Sequence, residues 1–178
     1  MSLFASGHQT VGPYLHIGLT WLITENLAPE GTAGKRISIE GSVIDGDGKP
    51  VNDAIVEIWQ ADAGGAYGTK DFRGFGRSAT DEAGRFRFQT IKPGRVPGLG
   101  GKLQAPHIAV NIFMRGQLKQ LVSRIYFPDE PANTEDAVLK LVPTARRGTL
   151  IAKRGARPGA LEWNVILQGK DETVFFDC

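Results

Sequence analysis

Beyond its 19 carboxylates, the side chains with which this chain could hold a metal or move a proton are few. It has three histidines (His8, His16 and His107), three tyrosines (Tyr14, Tyr67 and Tyr126) and one cysteine, Cys178, its last residue. Zinc sites draw on clustered Cys and His, or on three ligands around an open position. Neither pattern is present: there is no His-x-His pair, and the thiol stands alone. No glycine-rich phosphate loop follows a strand signal, which argues against a nucleotide site. No serine sits in a nucleophile elbow. From residue types and spacing, the chain carries no self-sufficient catalytic set.

The segments that must position such groups are short and alternate with period two, punctuated by 23 glycines and 10 prolines. That pattern predicts an all-β sandwich or barrel with long loops and little helix. A first strand is expected from Tyr14 to Thr20, after a Gly12-Pro13 turn. Ile37, Ile39 and Val43 form one face of the next. The turn Asp45-Gly46-Asp47-Gly48-Lys49-Pro50 leads to Ala54, Val56 and Ile58, and the two runs read as a hairpin. A second hairpin is expected over 74–90, turning at Asp81-Glu82-Ala83-Gly84, with Phe86 and Phe88 inward and Arg85 and Arg87 outward. From 92 to 102 the chain reads as a loop. Ile108, Val110, Ile112 and Met114 define one face of a long strand that pairs with 120–127 across Gly116. A short helix is expected within 131–140, a last clear strand over 161–168 with Trp163, Val165 and Leu167 inward, and an edge strand near 173–176. Trp59 and Trp163 read as core anchors. Strand signals recur evenly, so one domain is expected over 1–178.

The formal net charge is +2, with both signs mixed along the chain. That balance argues against a nucleic-acid-binding role. The basic run Lys153-Arg154-Gly155-Ala156-Arg157 reads as a solvated loop. A lone terminal cysteine, no signal-peptide pattern and no long apolar run lead us to expect a reducing, cytoplasmic setting.

Several stretches carry a family resemblance. Gly41 to Val51 followed by Ala54 to Asp62 resembles the strand-turn-strand signature of the intradiol ring-cleaving dioxygenases. Thr10-Val11-Gly12-Pro13-Tyr14 is similar to that family's T-x-G-P-aromatic motif. Phe75-Gly76-Arg77, Thr80-Asp81 and Thr90-Ile91-Lys92-Pro93-Gly94 resemble the following hairpin and loop. Ala105-Pro106-His107-Ile108 and Arg124-Ile125-Tyr126-Phe127 resemble the ligand-bearing strand and its neighbour. The end, Gln168 to Asp177, resembles the alpha-type chains of the protocatechuate-cleaving members.

The resemblance implies an intradiol-type sandwich and, in those members, an alpha–beta protomer acting in aromatic catabolism (the beta-ketoadipate pathway). Fe(3+) in the family is held by two tyrosines and two histidines, the latter a His-x-His on one strand. Here the matching positions are His107 and Ala109, and the positions expected to bear the ligand tyrosines hold none; Tyr67 matches a structural aromatic. The implied role is an alpha subunit that binds no iron, the ion sitting in the beta subunit, with His107 a vestigial ligand position. The implied partners are the beta subunit, protocatechuate and O2, in a higher hetero-oligomer, with product 3-carboxy-cis,cis-muconate. By residue match, Thr10, Gly12, Pro13, Tyr14 and Arg124 would bind substrate at a wall of the partner's pocket, and segment 1–35 would extend toward that partner. A guanidinium suits an anionic catechol carboxylate.

Each residue also has a plainer reading. Gly12-Pro13 reads as a turn, Tyr14 as a half-buried aromatic, Arg124 as a structural ion-pair residue, and Glu57 as an interface or structural carboxylate. Two rival functions follow from the residues. One is a transthyretin-like β-sandwich binding module, which would show an exposed aromatic platform. The other is a homomeric catechol dioxygenase, which would need two histidines and two tyrosines to converge.

Overall fold

The computed structural model describes Gly12 and residues 17–177 of the 178-residue chain. Two β-sheets face each other. Strands β1 (Arg36–Ile44), β4 (Arg85–Ile91), β7 (Lys153–Arg154), β8 (Ala160–Glu162) and β9 (Val165–Ile166) form one sheet, in the order β4-β1-β8-β7 with β9 also beside β1. Strands β2 (Ile55–Trp59), β3 (Phe75–Ala79), β5 (His107–Phe113) and β6 (Leu121–Tyr126) form the other, in the order β3-β2-β5-β6. Period-two alternation drives both inner faces into one core: Ile37, Ile39, Val43, Phe86 and Phe88 from the first sheet meet Val56, Ile58, Ile108, Val110, Ile112 and Ile125 from the second. The all-β sandwich with little helix is therefore as expected.

The strand pairing is not. The two expected hairpins are arches: β1 and β2 lie in different sheets, as do β3 and β4. Both turns are nonetheless formed. The Asp45 Oδ1 accepts from the backbone N–H of Asp47 and Lys49, and the Asp81 Oδ1 accepts from those of Ala83 and Arg85. These bonds reverse the chain locally and are indifferent to whether the next strand pairs alongside or crosses over the core. Three further expectations change. Residues 17–22 contain helical turns rather than strand, among them a 3-10 turn Thr20–Leu22. Trp59 is not a core anchor: it lies on the outer face of its sheet and is 41% exposed. Near 173–176 there is a single bridge, Phe176 to Val122.

The last strand is interrupted for a visible reason. β8 and β9 run parallel to β1 in one register, but between them the Trp163 carbonyl presses against Gly41. A Cβ at Gly41 would sit 1.8 Å from that oxygen. The Asn164 side chain replaces the lost ladder bond, accepting from the Ser42 N–H at 3.0 Å. Trp163 is buried, and its indole N–H donates to the Thr149 carbonyl at 2.9 Å. Gly41→Ala should therefore cost about 2–3 kcal/mol, in the range of core overpacking. Urea unfolding of the variant measures this, and an unchanged midpoint would contradict the packing described.

On the outer face of the second sheet lies a smaller apolar cluster. It joins Ala105 and Tyr126 to Ala132, Leu139, Val142 and Leu150, brought by the helix α1 (Ala137–Leu141) and by the 3-10 segment Thr144–Leu150. This cap covers one end of the outer face and leaves Trp59, Tyr67 and Phe75 exposed, 38–42% each.

Candidate functional site on the outer sheet face

Antiparallel register decides which side chains share the outer face. His107 lies opposite Tyr126, and Ala109 is flanked by Arg124 on one side and Trp59 on the other. Trp59 in turn lies opposite Phe75. His107 and Arg124, distant in sequence, are thus brought together. Gly12 is described with φ +58, a left-handed turn conformation, and a Cβ built there would meet none of the described residues within 4 Å. Thr10, Pro13 and Tyr14 lie outside the described residues.

Asp136 is fully buried. Its Oδ1 accepts from the Tyr126 hydroxyl at 3.0 Å and from the backbone N–H of Val138 and Leu139 at 3.0 and 2.8 Å. Its Oδ2 accepts from the Ala105 N–H at 2.8 Å. One carboxylate therefore caps α1, holds the entry to β5 and anchors Tyr126 on β6. Burial, reinforced by Asp136 and opposed by Arg124, pushes the Tyr126 phenol well above its usual range.

His107 is buried, with Nδ1 2.8 Å from the Ala105 carbonyl oxygen. A carbonyl only accepts, so Nδ1 carries the proton. Burial and then the Arg124 charge hold the imidazole pKa below its ordinary value, favouring the neutral ring. Arg124 is half-buried; its Nη1 donates to Gln104 Oε1 at 2.8 Å, and the Tyr126 oxygen lies 3.5 Å away. Among the described residues no carboxylate forms an ion pair with it. Tyr67 stacks on Trp59, with centroids 5.8 Å apart and planes 11° from parallel, and burial raises its pKa against the pull of Arg124. Glu57 is paired with Arg77 on the neighbouring strand, both only 15% exposed, which gives it a structural role.

Could these residues hold a ferric ion? The strand offers one imidazole, with a methyl group, Ala109, two positions on. Both described phenols resist ionisation, and Tyr126 is committed to Asp136. Among the described residues no three His, Cys, Asp or Glu side chains converge as ligands. The described residues do not fit the ion.

Sequence reading missed Gln104 and Asp136. Asp136 had a signal, since an Asp immediately before the apolar Ala137-Val138-Leu139 is an N-cap pattern. Gln104 had none, because its contact with Arg124 is made by a loop side chain before β5 whose placement no local pattern shows.

Comparison with known proteins gives this geometry its context. The fold is that of the ring-cleaving dioxygenases. The dioxygenase domain of a dioxygenase–carbohydrate-binding protein fusion from Streptomyces sp. SirexAA-E superposes with a TM-score of 0.68 at 30% identity, covering 85% of this chain and 89% of that one. A family model for Dioxygenase matches residues 22–169. Protocatechuate 3,4-dioxygenase alpha chains of Burkholderia cepacia and Pseudomonas putida are each 42% identical, over 95% of this chain and 95% and 94% of theirs. The Burkholderia cepacia beta chain is 35% identical over 94% of this chain and 77% of its own length. This chain belongs to the intradiol dioxygenase family of oxidoreductases. Among the described residues no helix is long and apolar enough to cross a membrane.

Proposed function

We propose that this chain is the alpha subunit of an alpha–beta protocatechuate 3,4-dioxygenase that itself holds no iron. The observation that carries the reading is the pairing of two facts. Similarity to alpha chains runs nearly end to end, and the strand that bears metal ligands in the family here reads His107-x-Ala109. The partner is a ligand-complete beta chain, and the assembly cleaves protocatechuate with O2 between its two hydroxyl-bearing carbons. The ferric ion of that partner supplies Lewis-acid activation of the catechol. This chain binds and orients the ring and keeps water out. Thr10, Gly12, Pro13 and Tyr14 contribute to the pocket wall, and segment 1–35 extends toward the partner. Arg124 contributes the cation for the substrate carboxylate; a half-buried guanidinium with no ion-pair partner among the described residues is suited to that task. The single domain spans the chain, and its setting is the cytoplasm.

The exposed Trp59–Tyr67 stack is the kind of aromatic platform expected of a sandwich binding module. On the proposed reading it borders the pocket.

Arg124→Ala in the complex should raise KM for protocatechuate by about ten- to a hundredfold, the loss of charge-assisted hydrogen bonds. Iron content should be unaffected. Steady-state kinetics with iron quantification tests this, and an unchanged KM would remove Arg124 from the pocket.

A further inference from the structure

The half-buried Arg124 meets a neutral amide where such a guanidinium ordinarily meets a carboxylate. Gln104 Oε1 accepts from Nη1 at 2.8 Å. The amide is itself held: the Gln104 N–H donates to the Val96 carbonyl at 2.8 Å, its Nε2 to the Pro97 carbonyl at 3.3 Å, and its own carbonyl accepts from Arg95 Nε at 3.2 Å. The next residue, Ala105, is tied to the Asp136 carboxylate at 2.8 Å. Gln104 is thus a fixed acceptor delivered by a braced loop.

We propose that Gln104 is the positioning residue that sets selectivity for carboxylate-bearing catechols, by orienting the Arg124 guanidinium without neutralising it. The physical distinction lies in charge. A carboxylate at this position would hold the same Nη1 in the same place, but it would cancel the charge that an incoming anion needs. An amide uses part of the donor fork and leaves the full positive charge, with Nε and Nη2, which bond to none of the described residues, available to meet a planar carboxylate. The Asp136 carboxylate nearby is spent on four donors of its own. This inference deepens the reading of Arg124 given above and rests on it.

The test uses the assembled alpha–beta complex, with iron content and visible absorption confirming assembly. The readout is the ratio of kcat/KM for protocatechuate to that for catechol, which lacks the carboxylate. Gln104→Glu should lower the ratio about tenfold or more, through KM for protocatechuate rather than kcat, because it installs a competing anion. Gln104→Ala, which frees the guanidinium without discharging it, should lower the ratio less, by about two- to fivefold. A merely structural role would move both substrates together and make Ala the worse variant. Arg124→Leu provides the second arm. If Arg124→Leu collapses the ratio while Gln104→Glu shifts it less than about twofold, the role of Gln104 is overturned and that of Arg124 stands. If Arg124→Leu leaves the ratio in place, the Arg124 reading fails and this inference fails with it.

Discussion

Purified without a partner, the chain is expected to be colourless, free of stoichiometric iron and inactive in ring cleavage; co-expressed with a ligand-complete beta chain, it should yield a red-brown active complex. Tyrosinate coordinated to ferric iron absorbs visible light in this family, so colour reports assembly of the metal site directly. The expectation rests on donor chemistry. A ferric ion is hard and wants ionised phenolates beside its imidazoles. Here Tyr126 is raised above its normal pKa by burial and bonded to a carboxylate, Tyr67 is also raised, and the one described imidazole on the strand donates from Nδ1 to a backbone carbonyl. Turnover by the lone chain should fall below that of the complex by more than about a thousandfold. Iron analysis, the absorption spectrum and an oxygen-uptake assay on both preparations decide the matter. Near-stoichiometric iron bound by the homogeneous chain would sink the proposal.

The second large effect is expected at Asp136. Asp136→Ala leaves four donors facing a void: the Tyr126 hydroxyl and the N–H groups of Ala105, Val138 and Leu139. Losing the helix cap alone costs about 1–2 kcal/mol. Each remaining buried donor without a partner adds about 1–3 kcal/mol. Some relaxation and water entry reduce that sum, so we expect a loss of about 3–5 kcal/mol, at the large end for single substitutions. Asp136→Asn keeps the Oδ1 contacts but turns an amide N–H2 toward the Ala105 N–H, and should cost about 1–3 kcal/mol. Denaturant unfolding of the two variants gives the comparison. Equal, small losses in both would show that the carboxylate is not the tie between α1, β5 and β6. The same substitutions loosen Ala105 and Tyr126, the neighbours of Gln104 and Arg124, so a fall in substrate affinity should accompany the fall in stability.

Much of the fold was legible in the sequence, and the reasons are local. Alternation assigned inward and outward residues correctly on β1, β4 and β5, with Phe86, Phe88, Ile108, Val110 and Ile112 all buried. That outcome survived even where pairing was misread. In an arch, as in a hairpin, the chain reverses, and the apolar side of each strand still faces the shared core. The Asp45 and Asp81 turns were readable because their bonds span two to four residues. Which sheet received β2 and β4 was not readable, because that choice is made by contacts across the core and along ladders to β5 and β1. Trp59 was misplaced for a related reason: its position in the alternation set it on the outer face, but its size and apolarity suggested burial.

The candidate site divides along the same line. By itself the sequence determined a deficiency, since one imidazole at His107 and a methyl group at Ala109 are facts of composition at two positions, needing no geometry to interpret. It also determined the family, through motifs distributed along the chain. Only the tertiary structure decided that Arg124 stands beside His107, that its nearest acceptor is the neutral Gln104, and that Asp136 braces both strands. These relations join residues across separate segments, and their free energy comes from burial and hydrogen-bond geometry that exist only once the sheet has formed. The polypeptide thus writes which atoms are available; the fold writes which of them meet.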